Sequence, residues 1–339
     1  MPAKKTSYTL SSPPSLIKTI GPSFILLGLA LGSGELLLWP YLTANYGLGL
    51  VWGALLGISF QYIMNTEVIR YSLARGESIF VGFRQLSILI PMWFIISTFI
   101  PWSLPGFSSA TAQVLSQFIP GIPPTAFSIA LLLLVGVILT LGKTLYRTMV
   151  KLQLTNVLIG IPFIAILVIL LTTQLDWTEA AQGLVGKGNG WWFFPPGVAL
   201  TAFLGAFAYS GAGGNLGLAQ TYYIKEKGLG MGKGTAKISS LLQQKSVKTV
   251  LDGHLFSVNA TNKERWKAWW RLACTEHFIV FWLLGIITIL MLAVLAKSLV
   301  FGQADAQGIQ FLYQEAEAIR QRTLPIVGTI FLLLASGML

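Results

Sequence analysis

The chain has 339 residues, 54% of them hydrophobic and 10% charged, against roughly a quarter charged in an ordinary soluble domain; its mean hydropathy of +0.70 excludes a soluble globular enzyme. Its 23 Lys and Arg against 12 Asp and Glu leave a formal charge of +11, which in a chain of recurrent apolar runs marks membrane topology before it marks nucleic acid. One cysteine, Cys274, excludes an internal disulfide framework, and two histidines exclude a His-rich metal site, so any buried metal must take oxygen ligands.

Met1 to Pro14 is polar, and the first apolar run is too long and lacks a small-residue cleavage site, so it is not a removable signal peptide. Runs long enough to cross about 30 Å of hydrocarbon fall near residues 20–45, 50–73, 88–116, 124–142, 150–173, 194–221, 274–299 and 324–339. The first seven read as complete spans. The last, 16 residues ending at Leu339, barely crosses, so the chain reads as truncated inside an eighth helix.

A cytoplasmic N-terminus places Lys4, Lys5, Lys18, Arg70, Arg75, Arg84, Lys143, Arg147, Lys151 and ten basic residues between Lys225 and Arg271 on the inside, leaving only Lys187, Lys297, Arg320 and Arg322 elsewhere. Positive-inside asymmetry therefore predicts a multi-pass protein of the cell's inner (plasma) membrane with its N-terminus in the cytoplasm. Residues 1–19 form the cytoplasmic tail, 20–173 a first five-helix repeat, 174–193 an extracytoplasmic loop and 194–339 an incomplete second repeat with a cytoplasmic loop at 222–273. In that loop Trp266, Trp269 and Trp270 alternate with Arg265, Lys267 and Arg271. The pattern suits a juxtamembrane segment at the anionic inner leaflet of the lipid bilayer better than a nucleic-acid surface.

Two spans carry costly residues at mid-membrane. The first contains Gly32-Ser33-Gly34-Glu35, and the sixth Ser210-Gly211-Ala212-Gly213-Gly214-Asn215. Gly weakens a helix, and a carboxylate in hydrocarbon is expensive unless it lines a cavity or finds a partner. Breaks in the first and sixth spans are equivalent in an inverted repeat of about five plus five helices, and such pairs point to a transporter's midplane site. Glu35 and Asn215 have a second reading as helix caps, and the glycines as close packing. Glu67 with Arg70 reads as an internal ion pair more readily than as a proton relay. The Trp102-Ser103-Leu104-Pro105-Gly106 stretch reads as a kink with a packing role.

The run Gly21-Pro22-Ser23-Phe24, the break that follows it, Asn45-Tyr46-Gly47, Val51-Trp52, Arg70 with Gly76 six residues on, and Asn215 together resemble the Nramp metal-ion transporters, a branch of the LeuT-like fold. The resemblance extends along essentially the whole chain. It implies an all-α membrane protein, a LeuT-like inverted-repeat helical bundle with interrupted helices 1 and 6, about eight of eleven helices being present. The departures are specific. Gly32 stands where that family has its metal-binding Asp and Glu35 where it has an Asn; Ala212 replaces its metal-binding Met and Gly214 its His. Loss of the thioether removes the basis for choosing soft transition metals, and residues 88–116 lack the acidic side chains that the family uses for proton passage.

The sequence reading is a secondary transporter working by alternating access. Its expected site comprises Gly32, Ser33, Gly34, Glu35, Ser210, Gly211, Ala212, Gly213, Gly214 and Asn215, with Glu35 and Asn215 as metal ligands and the glycines exposing backbone carbonyls. An all-oxygen site suits a hard divalent ion such as Mg2+ or Mn2+. A small organic solute is the alternative cargo, favoured by the space that Gly32, Ala212 and Gly214 leave; a non-transporting sensor or fragment is the third reading. No cofactor or nucleic-acid partner is implied. Nor is an enzyme, since no span combines a nucleophile with a base or pairs two carboxylates.

Overall fold

A computed structural model of the chain describes residues 8–32, 34–141, 145–233, 253–303 and 307–339. Ser33, the tail carrying Lys4 and Lys5, Lys143, and the part of the basic loop carrying Lys237, Lys245 and Lys248 lie outside the described residues. The described part is a helical bundle. A single turn, α1 (Leu16–Thr19), leads into α2 (Pro22–Ala30), which starts with Pro at N1, where its missing N–H costs nothing. After a turn the chain re-enters helix as a π-helical stretch, Gly34–Leu38, that runs into α3 (Trp39–Tyr46). There follow α4 (Val51–Arg75), α5 (Ile79–Leu86), α6 (Leu89–Ser103), α7 (Gly106–Ser116), α8 (Pro124–Leu141), α9 (Leu145–Leu171) and α10 (Gln174–Gly183).

The sixth apolar run is two helices, α11 (Leu200–Ala208) and α12 (Leu216–Lys227). The seventh starts at α13 (Ala260–His277), passes through a second π-helical stretch, Phe278–Leu283, and continues as α14 (Leu284–Val300). Then come α15 (Ile309–Arg322) and α16 (Pro325–Met338). Among the described residues six helices are long and apolar enough to cross a membrane: Pro22–Tyr46, Leu48–Arg75, Leu89–Ser116, Pro124–Leu141, Tyr146–Leu171 and Ala260–Val300. The sixth expected span falls short of a continuous helix because Gly211, Gly213 and Gly214 all adopt positive φ (124°, 65° and 47°), a conformation no right-handed helix accommodates.

Two apolar cores, the largest of four among the described residues, hold the bundle. Leu27, Leu31 and Leu36 pack with Leu292, Leu295, Phe311 and Leu332 in one; Trp39, Ile58, Phe203 and Phe281 pack in the other. The outer faces of α6 and α8 are apolar and open, with Trp93, Ile96, Phe99, Leu132 and Leu133 all exposed. An apolar surface of that extent is untenable in water and natural in lipid. The expected kink in the third run is a true interruption, α6 ending at Ser103 and α7 beginning at Gly106.

The structure adds detail at two places. The loop expected at 222–273 is partly helix: α12 reaches Lys227, and α13 begins at Ala260, capped by the Asn259 side chain on the Asn262 N–H at 2.8 Å. The apolar-run criterion missed these turns because their side chains are charged. The Trp and Arg cluster there also meets protein. Trp269 is buried and donates to the Ser11 carbonyl at 2.7 Å, Arg265 donates to the Leu10 carbonyl at 2.7 Å, and Trp266 stacks on Trp270. The N-terminal segment covers Trp269, whose indole N–H finds a backbone acceptor there, as a buried indole requires.

At the other end of α14, Lys297 bridges Asp176 (3.0 Å) and Glu179 (2.7 Å) of α10. Asp176 completes a capping box with Thr173. Burial raises the Asp176 carboxyl, but the Thr173 hydroxyl and N–H and the Lys297 ammonium outweigh it and bring it down to about 2. A depressed carboxyl stabilises the fold above its unfolded value, near 3.9, and loses that contribution as pH falls toward about 2. The Asp176→Asn protein is expected to unfold more easily by about 1–2 kcal/mol, with a deficit that is constant from neutral pH to about pH 5 and vanishes in stronger acid. Thermal unfolding in detergent across that range reads it.

Candidate functional site

The two interruptions meet. An ideal Cβ on Gly34 would lie 2.0 Å from the Tyr209 carbonyl oxygen, so only glycine lets the start of the π-helical stretch seat against the end of α11. That carbonyl also accepts the Gly211 N–H at 2.9 Å. Trp39 donates its indole N–H to Ser210 Oγ at 2.9 Å, and Ser210 donates onward to the Ala206 carbonyl at 2.9 Å, which ties the outer part of the first run to the second break. Gln61, on α4, spans that break. Its amide donates to the Ala208 carbonyl (2.9 Å) and accepts the Gly213 N–H (3.2 Å), satisfying backbone groups that the lost helix leaves over.

Glu35 is fully buried, and neither of its carboxylate oxygens has a hydrogen-bond partner. It is therefore not a helix cap. Its surroundings are apolar: Oε1 lies 3.9 Å from where a Cβ on Gly285 would be, a spot also approached by Ile58 and Leu27. Gly285 lies in the first turn of α14, just after the second π-helical stretch, so the carboxylate sits on one π-helical stretch and beside the end of the other. Such stretches are frequent at functional sites because they re-aim side chains without ending a helix.

Asn215 occupies the N-cap position of α12, yet makes no side-chain cap. Its amide nitrogen instead donates to α6, at the Phe94 carbonyl (3.4 Å) and the hydroxyls of Ser97 (3.2 Å) and Thr98 (2.5 Å). The two side chains expected as metal ligands thus face different neighbours: Glu35 meets α14, and Asn215 meets α6. Ser210, Gly211, Ala212 and Gly213 are buried around the junction, while Gly214 is exposed. Two of the carbonyls expected to be free are engaged: Gly32 accepts the Leu36 N–H at 3.1 Å and Gly213 the Leu216 N–H at 3.3 Å. Each keeps a second lone pair. Gly32 also lies beside the Met338 carbonyl of α16. Among the described residues no three His, Cys, Asp or Glu side chains group to hold a metal. Glu67 and Arg70 pair at 2.5 Å, with both side chains more than half exposed.

A cavity of about 600 Å³ opens beside the second break, lined by Phe94, Thr98, Trp102, Tyr209, Asn215 and Tyr222. Sequence reasoning missed its wall because α6 contributes mainly apolar side chains. It also missed Gln61 and a second fully buried carboxylate, Glu315 of α15, both of whose oxygens lack partners. Gln61 stands inside an apolar run, the same signal that singled out Glu35. Glu315 gave no signal, since Gln314-Glu315-Ala316-Glu317 reads as the polar face of a surface helix.

No protein-family model matches the chain, and no curated protein matches it. Solved structures do. The chain is similar to a manganese transporter from Eremococcus coleocola in three structures: a point variant (TM-score 0.64, 15% identity), a complex with an aromatic bis-isothiourea substituted compound (0.62, 14%) and a second point variant (0.61, 15%). Each match covers 99% of this chain and 66% of the other, so the chain spans just under two-thirds of that transporter's length. Likeness at this identity establishes the fold, an all-α membrane bundle.

Proposed function

We propose that the chain is the transporting core of a secondary transporter that moves a cation, a hard divalent ion such as Mg2+ or Mn2+, by alternating access around the two touching breaks. The observation that carries this reading is Glu35: a fully buried carboxylate with no partner, set where two interrupted helices meet. A charge left unpaired in that setting is strongly disfavoured, so the site is built for a positive partner that comes and goes. Glu35 supplies the negative charge, and backbone carbonyls of the breaks supply neutral oxygens, the donor chemistry of a hard ion. The likeness to a manganese transporter supports the same assignment, as does the resemblance of the first run to the Nramp family and its LeuT-like inverted repeat. On this reading the N-terminus faces the cytoplasm, and the membrane is the inner (plasma) membrane.

Glu35→Gln keeps the shape and removes the charge. In proteoliposomes carrying the full-length protein, manganese and magnesium are tested separately, and flux of the preferred ion is expected to fall to background in the Glu35→Gln protein. Equal flux in the two proteins sinks the assignment. Absence of flux of either ion, in a protein shown to be folded and inserted, turns the reading to a small organic solute. That second reading is favoured by the aromatic-lined cavity of about 600 Å³ beside Asn215, a volume within the range of small-molecule sites.

A further inference from the structure

The cavity beside the second break is a groove between two helix faces, and its lining limits what it can hold. Along α6 the wall is Pro91, Phe94, Ile95, Thr98, Phe99 and Trp102, residues three and four apart that share one face. The facing wall is Leu216, Ala219 and Tyr222 of α12, preceded by Gly213 and Gly214 of the break. From Pro91 to Trp102 a helix rises about 16 Å, close to the hydrocarbon depth of one leaflet, about 15 Å. The groove opens sideways: Ile95 and Phe99 are 65% and 70% exposed, and a Cβ on Gly214 would meet nothing within 4 Å.

None of the described residues that line the groove is Asp, Glu, Lys, Arg or His, and polar groups at its middle are spent on neighbours. The Asn215 amide donates to the Phe94 carbonyl, Ser97 and Thr98, and Ser103 donates to the Ile100 carbonyl at 2.8 Å. A charged solute buried here lacks a counter-charge, which is costly; an apolar chain needs none. The end of the groove at α5 differs. There Phe80 stacks on Tyr222 (6.0 Å, 24°) and Phe83 on Phe94 (5.7 Å, 16°). No residue of α5 is buried, as befits an amphipathic helix lying in the membrane interface. Arg84, one turn on from Phe80 and so on the same side of α5, is exposed and pairs with no carboxylate among the described residues.

We propose that this groove is a lipid site, holding one acyl chain of an anionic phospholipid from the leaflet on the α5 side, with the phosphate drawn to Arg84. In the orientation proposed above that leaflet is the cytoplasmic one. Two independent features select the occupant. An uncharged slot one leaflet deep, open along its side, suits a chain that enters laterally from the bilayer. At its interfacial end the unpaired guanidinium is the charge complement of a phosphate, which Arg can meet with two parallel hydrogen bonds. Bound there, the chain packs against Gly214 and Asn215, so the lipid bears on the start of α12 and supports the second break. The proposal does not depend on what the protein transports.

Native mass spectrometry tests it, on the delipidated full-length protein in uncharged detergent, titrated with phosphatidylglycerol or with phosphatidylcholine of identical chains. The wild-type protein is expected to retain one phosphatidylglycerol, about fivefold more tightly than phosphatidylcholine, the effect of one Arg on an anionic lipid. Ala219→Phe, which sets a ring in the groove, is expected to weaken both lipids about tenfold or more. Arg84→Gln is expected to abolish the preference and leave phosphatidylcholine binding unchanged. Equal retention by the wild-type and Ala219→Phe proteins overturns the proposal, as does a preference that survives Arg84→Gln. A wild-type protein that binds neither lipid also overturns it, whether monomeric or paired with a second copy across the groove. Should Ala219→Phe fail to fold, Ile95→Trp, at an exposed position of the opposite wall, takes its place with the same expected loss. Absence of ion flux overturns the transport reading and leaves these outcomes as they are.

Discussion

The Gly34→Ala protein is expected to lose transport and about 3 kcal/mol of stability, an overpacking cost at the upper end for a single methyl group. An ideal Cβ there lies 2.0 Å from the Tyr209 carbonyl oxygen and 2.7 Å from its Cβ. The obstacle is backbone, fixed on one side by the Gly211 N–H and on the other by α11, so no rotamer change relieves it. The two interrupted helices must separate, and any site at their junction separates with them. Thermal unfolding in detergent and manganese flux read the two consequences. A midpoint and a flux equal to wild type would show that the junction can open without cost.

Removing the second orphaned carboxyl is expected to have the opposite sign. The Glu315→Leu protein is expected to be more stable than wild type by about 2 kcal/mol at neutral pH, since an apolar residue of similar size replaces a buried polar group with no partner. Burial holds the Glu315 carboxyl well above its ordinary value. In the unfolded chain the same group ionises near 4.3, so above that pH the unfolded state binds fewer protons than the native one. Wild-type stability therefore falls as pH rises from about 4, until the native carboxyl also ionises. The substitution is expected to flatten that slope, and unfolding midpoints compared at about pH 5 and about pH 8 measure it. An unchanged slope would mean that Glu315 holds a partner in solution.

The contrast between Glu35 and Glu315 shows how far reading the sequence reaches. Glu35 is conspicuous because it interrupts an apolar run, where a charge has no cheap explanation. Glu315 is as deeply buried, yet it lies in a polar stretch, and its burial comes from α15 packing across α14 and the end of the first run, a tertiary event that leaves no local trace. Glu276 and His277 were hidden for a related reason. They stand at the start of the apolar run expected at 274–299, and only the return of Ser23 from the N-terminal end of the chain gives them a partner.

What the sequence determined by itself is local: the membrane setting, from runs of apolar residues; the places where helices break, from glycines that take positive φ; and the presence of one costly carboxylate between them. Those follow from propensity and transfer energy, which act within a few residues of the chain. Which groups face one another was decided only by tertiary packing. Asn215 turns to α6 and Glu35 to α14 because the side chain's direction depends on the rotation of each half-helix after its break. That rotation is set by contacts between segments far apart in sequence, such as Trp39 with Ser210 and Gln61 with Gly213.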